Sequence, residues 1–221
     1  MAKPSPANLR AFVRRQTRLV PVADLPDLRL HLADDVTKLW HLAGRELGDD
    51  DPGLPYWGFA WPGGLAIARY LRDNPAEVAG ARVLDIAAGS GLCGIVAMRL
   101  GAASVLAIDV DPMAEATVAL NARANGVRIG FRRRDLLDES PPACDVILAG
   151  DVCYQETMST RMLAWLRFAA SDGTRVLIGD PGRAYLPTDL ERLAAYRVST
   201  SREIERSELT DVTVYTIPST G

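Results

Sequence analysis

The chain has 221 residues, 48% of them hydrophobic and 24% charged, which suits one sizeable core in an ordinary soluble globular protein. A formal net charge of −3 offers no general hold on a phosphate backbone, so nucleic acid is not an expected partner. No apolar run approaches the ~18 residues of a membrane span, so no membrane association is expected either.

Residues 1–23 carry Lys3, Arg10, Arg14, Arg15 and Arg18 and no acid. That composition can mimic a transit peptide, but Leu9, Phe12, Val13 and Val20 fall near one face at helical spacing and predict an amphipathic helix. A short extended piece follows at 28–32 and a helix at 36–47. The run Gly48-Asp49-Asp50-Asp51-Pro52-Gly53 reads as a loop. Residues 1–55 are therefore expected to form an N-terminal helical extension, and residues 56–221 the main domain.

From there helices and strands alternate. The pattern predicts helices at 64–71, 92–100, 112–125, 156–170 and 188–195. Strands are predicted at 81–86, 104–109, 127–131, 145–149, 174–179, 196–205 and 211–217. Alternation of this kind gives a parallel sheet with right-handed crossovers. The last two strands are separated by about five residues, too few for a parallel crossover, so that pair must be antiparallel. The expected architecture is α/β: a Rossmann-like seven-stranded sheet, mostly parallel with an antiparallel last strand.

Gly89-Ser90-Gly91-Leu92-Cys93-Gly94 follows a strand and opens a helix, and Asp109 lies 20 residues beyond Gly89. This spacing fits a dinucleotide site as well as an S-adenosylmethionine site. Asp85, four residues before Gly89, favours the second. A carboxylate there would repel a pyrophosphate at the helix N-terminus, whereas S-adenosylmethionine carries a sulfonium and an ammonium. Gly89 and Gly91, flanking Ser90 in the expected cofactor loop, let the backbone pass close to the methionine moiety. Asp109 is placed to accept from both ribose hydroxyls. After the third strand Asp135 can accept from the adenine amino group, or pair with Arg132–Arg134, and Leu136 can offer its backbone N–H to the ring.

Ligands in open parallel sheets sit beyond the carboxyl ends of the strands. The loop Gly150-Asp151-Val152-Cys153-Tyr154 after the fourth strand therefore faces the transferable methyl. Asp151 would accept a hydrogen bond from a substrate amine and orient it, and Tyr154 would wall the channel. The plainer alternative makes Asp151 a helix cap and Tyr154 a core residue. In Tyr56-Trp57-Gly58-Phe59-Ala60-Trp61, Trp61 is best placed to pack on the adenosyl group. Cys93, Cys144 and Cys153 lack metal-site spacing and read as reduced, packed thiols, and His31 and His41 do not make a metal site.

The segments Asp85–Gly91, Ala107–Pro112 and Gly150–Tyr154 resemble the seven-β-strand methyltransferase family 16. Its acidic-x-x-aromatic motif is matched by Asp151 and Tyr154, and its tryptophan before the first sheet helix by Trp61. Phe12–Leu19, Phe59–Gly64 and Gly179–Pro187 further resemble the electron transfer flavoprotein β-subunit lysine methyltransferases and their bacterial relatives. Those relatives carry Glu after the motif tyrosine, where this chain has Gln155 followed by Glu156. The resemblance implies S-adenosylmethionine as cofactor, lysine ε-amines of the flavoprotein β-subunit as acceptor, and a cytoplasmic protein; a monomer is the default expectation. On the residues alone a small-molecule N-methyltransferase and a nucleotide-binding dehydrogenase-like module remain as alternatives.

Overall fold

The computed structural model describes residues 5–200 and 208–218. The chain opens with α1 (Pro6–Gln16), β1 (Arg18–Val22), β2 (Leu25–Leu32) and α2 (Val36–Leu47). It continues as α3 (Pro62–Asp73), β3 (Arg82–Ile86), α4 (Leu92–Arg99), β4 (Ser104–Asp109), α5 (Pro112–Ala124) and β5 (Gly130–Arg133). The rest is β6 (Val146–Gly150), α6 (Glu156–Ser171), β7 (Arg175–Asp180), β8 (Glu191–Ser199) and β9 (Leu209–Thr216).

Seven strands form one sheet in the order β5-β4-β3-β6-β7-β9-β8. β5, β4, β3, β6 and β7 are parallel to one another, and β9 runs antiparallel to both β7 and β8. The expected antiparallel end is therefore present. The helix expected at 188–195 is not, because β8 occupies Glu191–Ser199. Leu190-Glu191-Arg192-Leu193-Ala194-Ala195 is rich in good helix formers, but pairing along β9 overrides that local preference. The strand expected at 196–205 begins five residues earlier, and 201–205 lie outside the described residues. β5 sits three residues later than expected and takes in Arg132 and Arg133, whose charges are tolerated on a sheet edge.

The central strands are apolar on both faces, as strands covered by helices must be. Val83, Val146, Leu148 and Leu177 pack with Ile67 and Leu71 of α3 and Ile95 of α4. Their alternates Leu84, Ile86, Ile147 and Ile178 pack with Met162, Trp165 and Leu166 of α6. A third cluster joins Leu9, Phe12 and Val13 of α1 and Leu39 of α2 to Trp57, Phe59 and the α5 residues Met113, Ala116 and Leu120. The N-terminal segment is thus part of the folded body.

α1 has Ser5 as its cap and ends at Gln16, so Val20, expected on the helix face, lies on β1 instead. The antiparallel β1–β2 hairpin contains Pro21 and Pro26, which weaken its strand signature in the sequence. Where β2 meets α5, the Arg29 and His31 N–H groups donate to Asn125 and Asn121 Oδ1, at 3.0 and 2.7 Å. Asn121 is fully buried, and its amide nitrogen donates to the Ser90 carbonyl at 2.9 Å. One side chain thereby ties the hairpin to the glycine loop. His31 also bonds the Thr17 hydroxyl, His41 lies against Trp40, and among the described residues no cluster suits a metal ion.

Candidate active site

A cleft of about 380 Å³ opens at the carboxyl ends of β3, β4 and β6. Of the residues picked from the sequence, Trp61, Asp85, Gly89, Ser90, Asp109, Asp135, Leu136, Gly150, Asp151 and Tyr154 line it. Gly91 does not. It caps α4 at φ +77°, and a methyl there would stand 3.0 Å from Val118, so Gly91 shapes the loop from behind.

The floor is built from carboxylates held by backbone donors. Asp85 Oδ2 accepts from the Gly94 N–H at 2.8 Å, inside the first turn of α4. Asp109 accepts from Gly89 through Oδ2 at 2.9 Å and from Asp111 through Oδ1 at 3.0 Å. Asp111, just before Pro112, caps α5 and accepts from the Met113 N–H. Among the described residues neither Asp85 nor Asp109 forms a salt bridge. Burial pushes Asp85 up to about 7 against the opposing Gly94 hydrogen bond. Burial likewise raises Asp109, and it takes Asp111 to about 7.

This floor suits a cation-bearing ligand and not a pyrophosphate. Asp85 already occupies an N–H at the helix start that a phosphate would use, and it brings negative charge there. An ionised carboxylate has about four acceptor positions, so Asp109 keeps lone pairs for two hydroxyls beside its backbone bonds. The end of the cleft expected to take adenine is lined by Leu136 and by Asp135, whose partners are the Leu137 N–H and Arg161 at 3.3 Å, not Arg132–Arg134.

Over the cleft lies the aromatic segment. Trp57 and Phe59 are core residues, 1% and 3% exposed. Trp61 donates its indole N–H to the Tyr56 carbonyl at 2.9 Å and packs against the Tyr56 ring, with centroids 5.2 Å apart. Tyr56 also meets the Tyr154 ring at 5.2 Å. The three rings form a rim. The sequence reading placed Tyr56 in the aromatic cluster but gave it no role.

At the β6 end, Asp151 has φ +58°, a strained conformation for a non-glycine residue, and its N–H donates to Gly179. It does not cap α6, which starts at Glu156 with Gln155 before it. Tyr154 is 42% exposed, so it is not a core residue. Asp151 Oδ2 accepts from the Gly64 N–H at 3.1 Å and Oδ1 from Arg183 Nη1 at 2.7 Å. Burial pushes Asp151 up to about 6, while Arg183 pulls it down. Glycines permit this crowding: a methyl on Gly63 would collide with the Gly179 carbonyl and stand 2.6 Å from Asp151 Oδ2. Arg183 was missed as a site residue, although it stands inside the family-like segment Gly179–Pro187.

The family model for ribosomal protein L11 methyltransferase matches residues 71–151, the stretch from α3 through the cofactor loop to Asp151. The N-methyltransferase NodS of Bradyrhizobium japonicum, solved with S-adenosylhomocysteine, superposes with a TM-score of 0.53 at 18% identity. That match covers 81% of this chain and 98% of NodS and speaks to the fold. The electron transfer flavoprotein β-subunit lysine methyltransferase of Xenopus laevis is 37% identical over 214 residues, 93% of this chain and 85% of the relative. Its Mus musculus counterpart is 34% identical over 217 residues, covering 94% and 84%. With identity at that level along nearly the whole chain, and a floor of acids suited to S-adenosylmethionine, the chain belongs to the electron transfer flavoprotein β-subunit lysine methyltransferase family of S-adenosylmethionine-dependent enzymes.

Proposed function

We propose that the chain methylates lysine ε-amines of the electron transfer flavoprotein β-subunit. The observation that carries this is the match to relatives of that name over at least nine-tenths of the chain, with Asp151 and Tyr154 set at the mouth of the cofactor cleft. Bound S-adenosylmethionine supplies an electrophilic methyl group. Asp85 and Asp109 hold its cationic and ribose portions, Trp61 covers the adenosyl group, and Asp135 with Leu136 meets the adenine. Gly89 and Ser90 bring the loop backbone to the cleft, and Gly150 lines it against the close approach of Gly64.

The acceptor must arrive as a neutral amine. A free lysine has a pKa of about 10.4, so few are neutral at pH 7, and a water-poor channel lowers that value. Tyr56, Trp61 and Tyr154 provide ring faces for the entering cation. Asp151 accepts a hydrogen bond from the amine and fixes its direction. The lone pair is then aligned by proximity and orientation, which supply the remaining catalytic contribution. We place the protein in the cytoplasm as a monomer. Its three cysteines form no disulfide, and among the described residues no helix is long and apolar enough to cross a membrane.

The test is mass spectrometry of a flavoprotein β-subunit co-expressed with the chain. Added methyl groups on lysine are expected, and none should appear with Asp151→Ala. An unmodified subunit, with label from methyl-labelled cofactor found only in small molecules, would sink the reading.

A further inference from the structure

The fold places one guanidinium between a fully buried carboxylate, Asp180, and a largely buried one, Asp151, beside the cleft. Arg183 Nη1 lies 2.7 Å from Asp151 Oδ1 and 3.8 Å from Asp180 Oδ2. Asp180 is fully buried at the end of β7. Its Oδ1 accepts from the Gly182 and Arg183 N–H groups at 2.8 and 2.7 Å, while Oδ2 has no hydrogen-bond partner among the described residues. The turn that carries Arg183 is thus fixed by its own backbone, independently of the guanidinium.

Among the described residues the other groups facing Asp151 are the Gly64 N–H from α3, the Cys93 thiol from α4 and the neighbouring Cys153 thiol. Burial holds both thiols neutral, Cys153 being pushed up to about 12. Asp85 reaches this corner only through its effect on Cys93. Among the described residues Arg183 is therefore the cation paired with the Asp151 carboxylate.

That charge matters for an amine acceptor. A bare buried carboxylate would bind a lysine as its ammonium, the form with no lone pair. A carboxylate already paired with a guanidinium keeps free lone pairs but little net attraction for a cation. We propose that Arg183 is a positioning residue that neutralises Asp151, so that Asp151 orients a neutral lysine amine by hydrogen bonding without holding it as an ammonium. The proposal rests on the lysine reading above. The lysine gives its proton to solvent on entry. As its nitrogen forms the new N–C bond, the C–S bond breaks and the positive charge passes from sulfur to nitrogen.

The experiment measures single-turnover methylation of the flavoprotein β-subunit against pH, at saturating S-adenosylmethionine, for the wild type, Arg183→Gln and Arg183→Lys. Arg183→Gln is expected to move the rising limb of the profile alkaline by about one unit or more, with KM for the protein substrate unchanged or lower. Arg183→Lys should return the limb toward the wild-type position. A second readout uses calorimetry of subunit binding to the S-adenosylhomocysteine complex in two buffers of different ionisation enthalpy. The wild type should release a proton that Arg183→Gln retains.

A lower rate with an unmoved limb and unchanged proton release would overturn the proposal, since a purely structural role predicts that result. If Arg183→Gln no longer binds S-adenosylhomocysteine, Asp180→Asn decides. Removing that charge while keeping the Oδ1 acceptor should move the limb toward acid, and an unmoved limb overturns the idea. Failure of the wild type to methylate lysine would instead refute the underlying reading.

Discussion

The two halves of the cleft hold their carboxylates by different means. On the proposed cofactor side, Asp85, Asp109 and Asp111 are satisfied by backbone N–H groups and form no ion pair among the described residues. On the proposed acceptor side, Asp151 is satisfied by one N–H and one guanidinium. Backbone donors fix the position of an acid and leave its charge available to a cationic ligand. A guanidinium fixes position and also cancels charge. The first arrangement suits a site that must attract a sulfonium, and the second a site that must receive an amine without its proton.

The sharpest way to break this comparison is at Asp151. Asp151→Asn keeps an acceptor for Gly64 but loses the Arg183 pair, and turnover should fall about 100-fold or more while S-adenosylhomocysteine affinity holds within a few-fold. Loss of affinity instead, seen by calorimetry, would place Asp151 on the cofactor side. Asp109→Ala should do the reverse. Removing hydrogen bonds to a charged acceptor costs about 1.5–3 kcal/mol, so affinity should drop roughly 10- to 100-fold. Gly63→Ala probes the seam between the halves. Forcing a methyl against the Gly179 carbonyl and Asp151 should cost about 1–3 kcal/mol in denaturant unfolding, and an unchanged midpoint would mean that the seam is loose.

A smaller effect separates the charges themselves. Asp85, pushed up to about 7 by burial, must lose its proton to favour a cation. S-adenosylmethionine should therefore bind more tightly as pH rises from 6 to 8, by up to about tenfold per unit below that value. S-adenosylhomocysteine, without the sulfonium, should show a shallower slope, and Asp85→Asn should flatten the S-adenosylmethionine curve. The stability of the unliganded protein runs the other way. Raised folded-state values at Asp85 and Asp111 favour the protonated native state, so their contribution is full below about pH 4 and is lost as pH rises to about 7. Thermal unfolding across that range, compared with Asp85→Asn, checks the sign.

The grouping of the proposed cofactor residues in one cleft was legible in the sequence because their placement is local. Asp85, the glycines and Asp109 occur at fixed offsets from strand ends, and the strands announce themselves as apolar runs. The antiparallel end was legible from one short connection. β8 was not, since its residues prefer a helix and only β9 makes them a strand. The acceptor half was half legible. Asp151 follows a strand and could be placed, but its partner lies 32 residues away across the sheet. No local spacing encodes that contact, and Arg183 was visible only as part of a family-like segment. Tyr56 was hidden for a similar reason: neighbours in an aromatic run look alike until the fold sends Trp57 inward and leaves Tyr56 on the rim.

The buried Asn121 side chain has a consequence beyond packing. Because its carbonyl holds the His31 N–H and its amide holds the Ser90 carbonyl, the hairpin and the cofactor loop share one hydrogen-bonded joint. Coupling through a joint is reciprocal: a ligand that steadies Ser90 must steady β2, and a loosened β2 must weaken the ligand by the same factor. The His31 amide then becomes a remote reporter of cofactor occupancy, slowing in hydrogen exchange when S-adenosylhomocysteine binds and losing that response in Asn121→Ala.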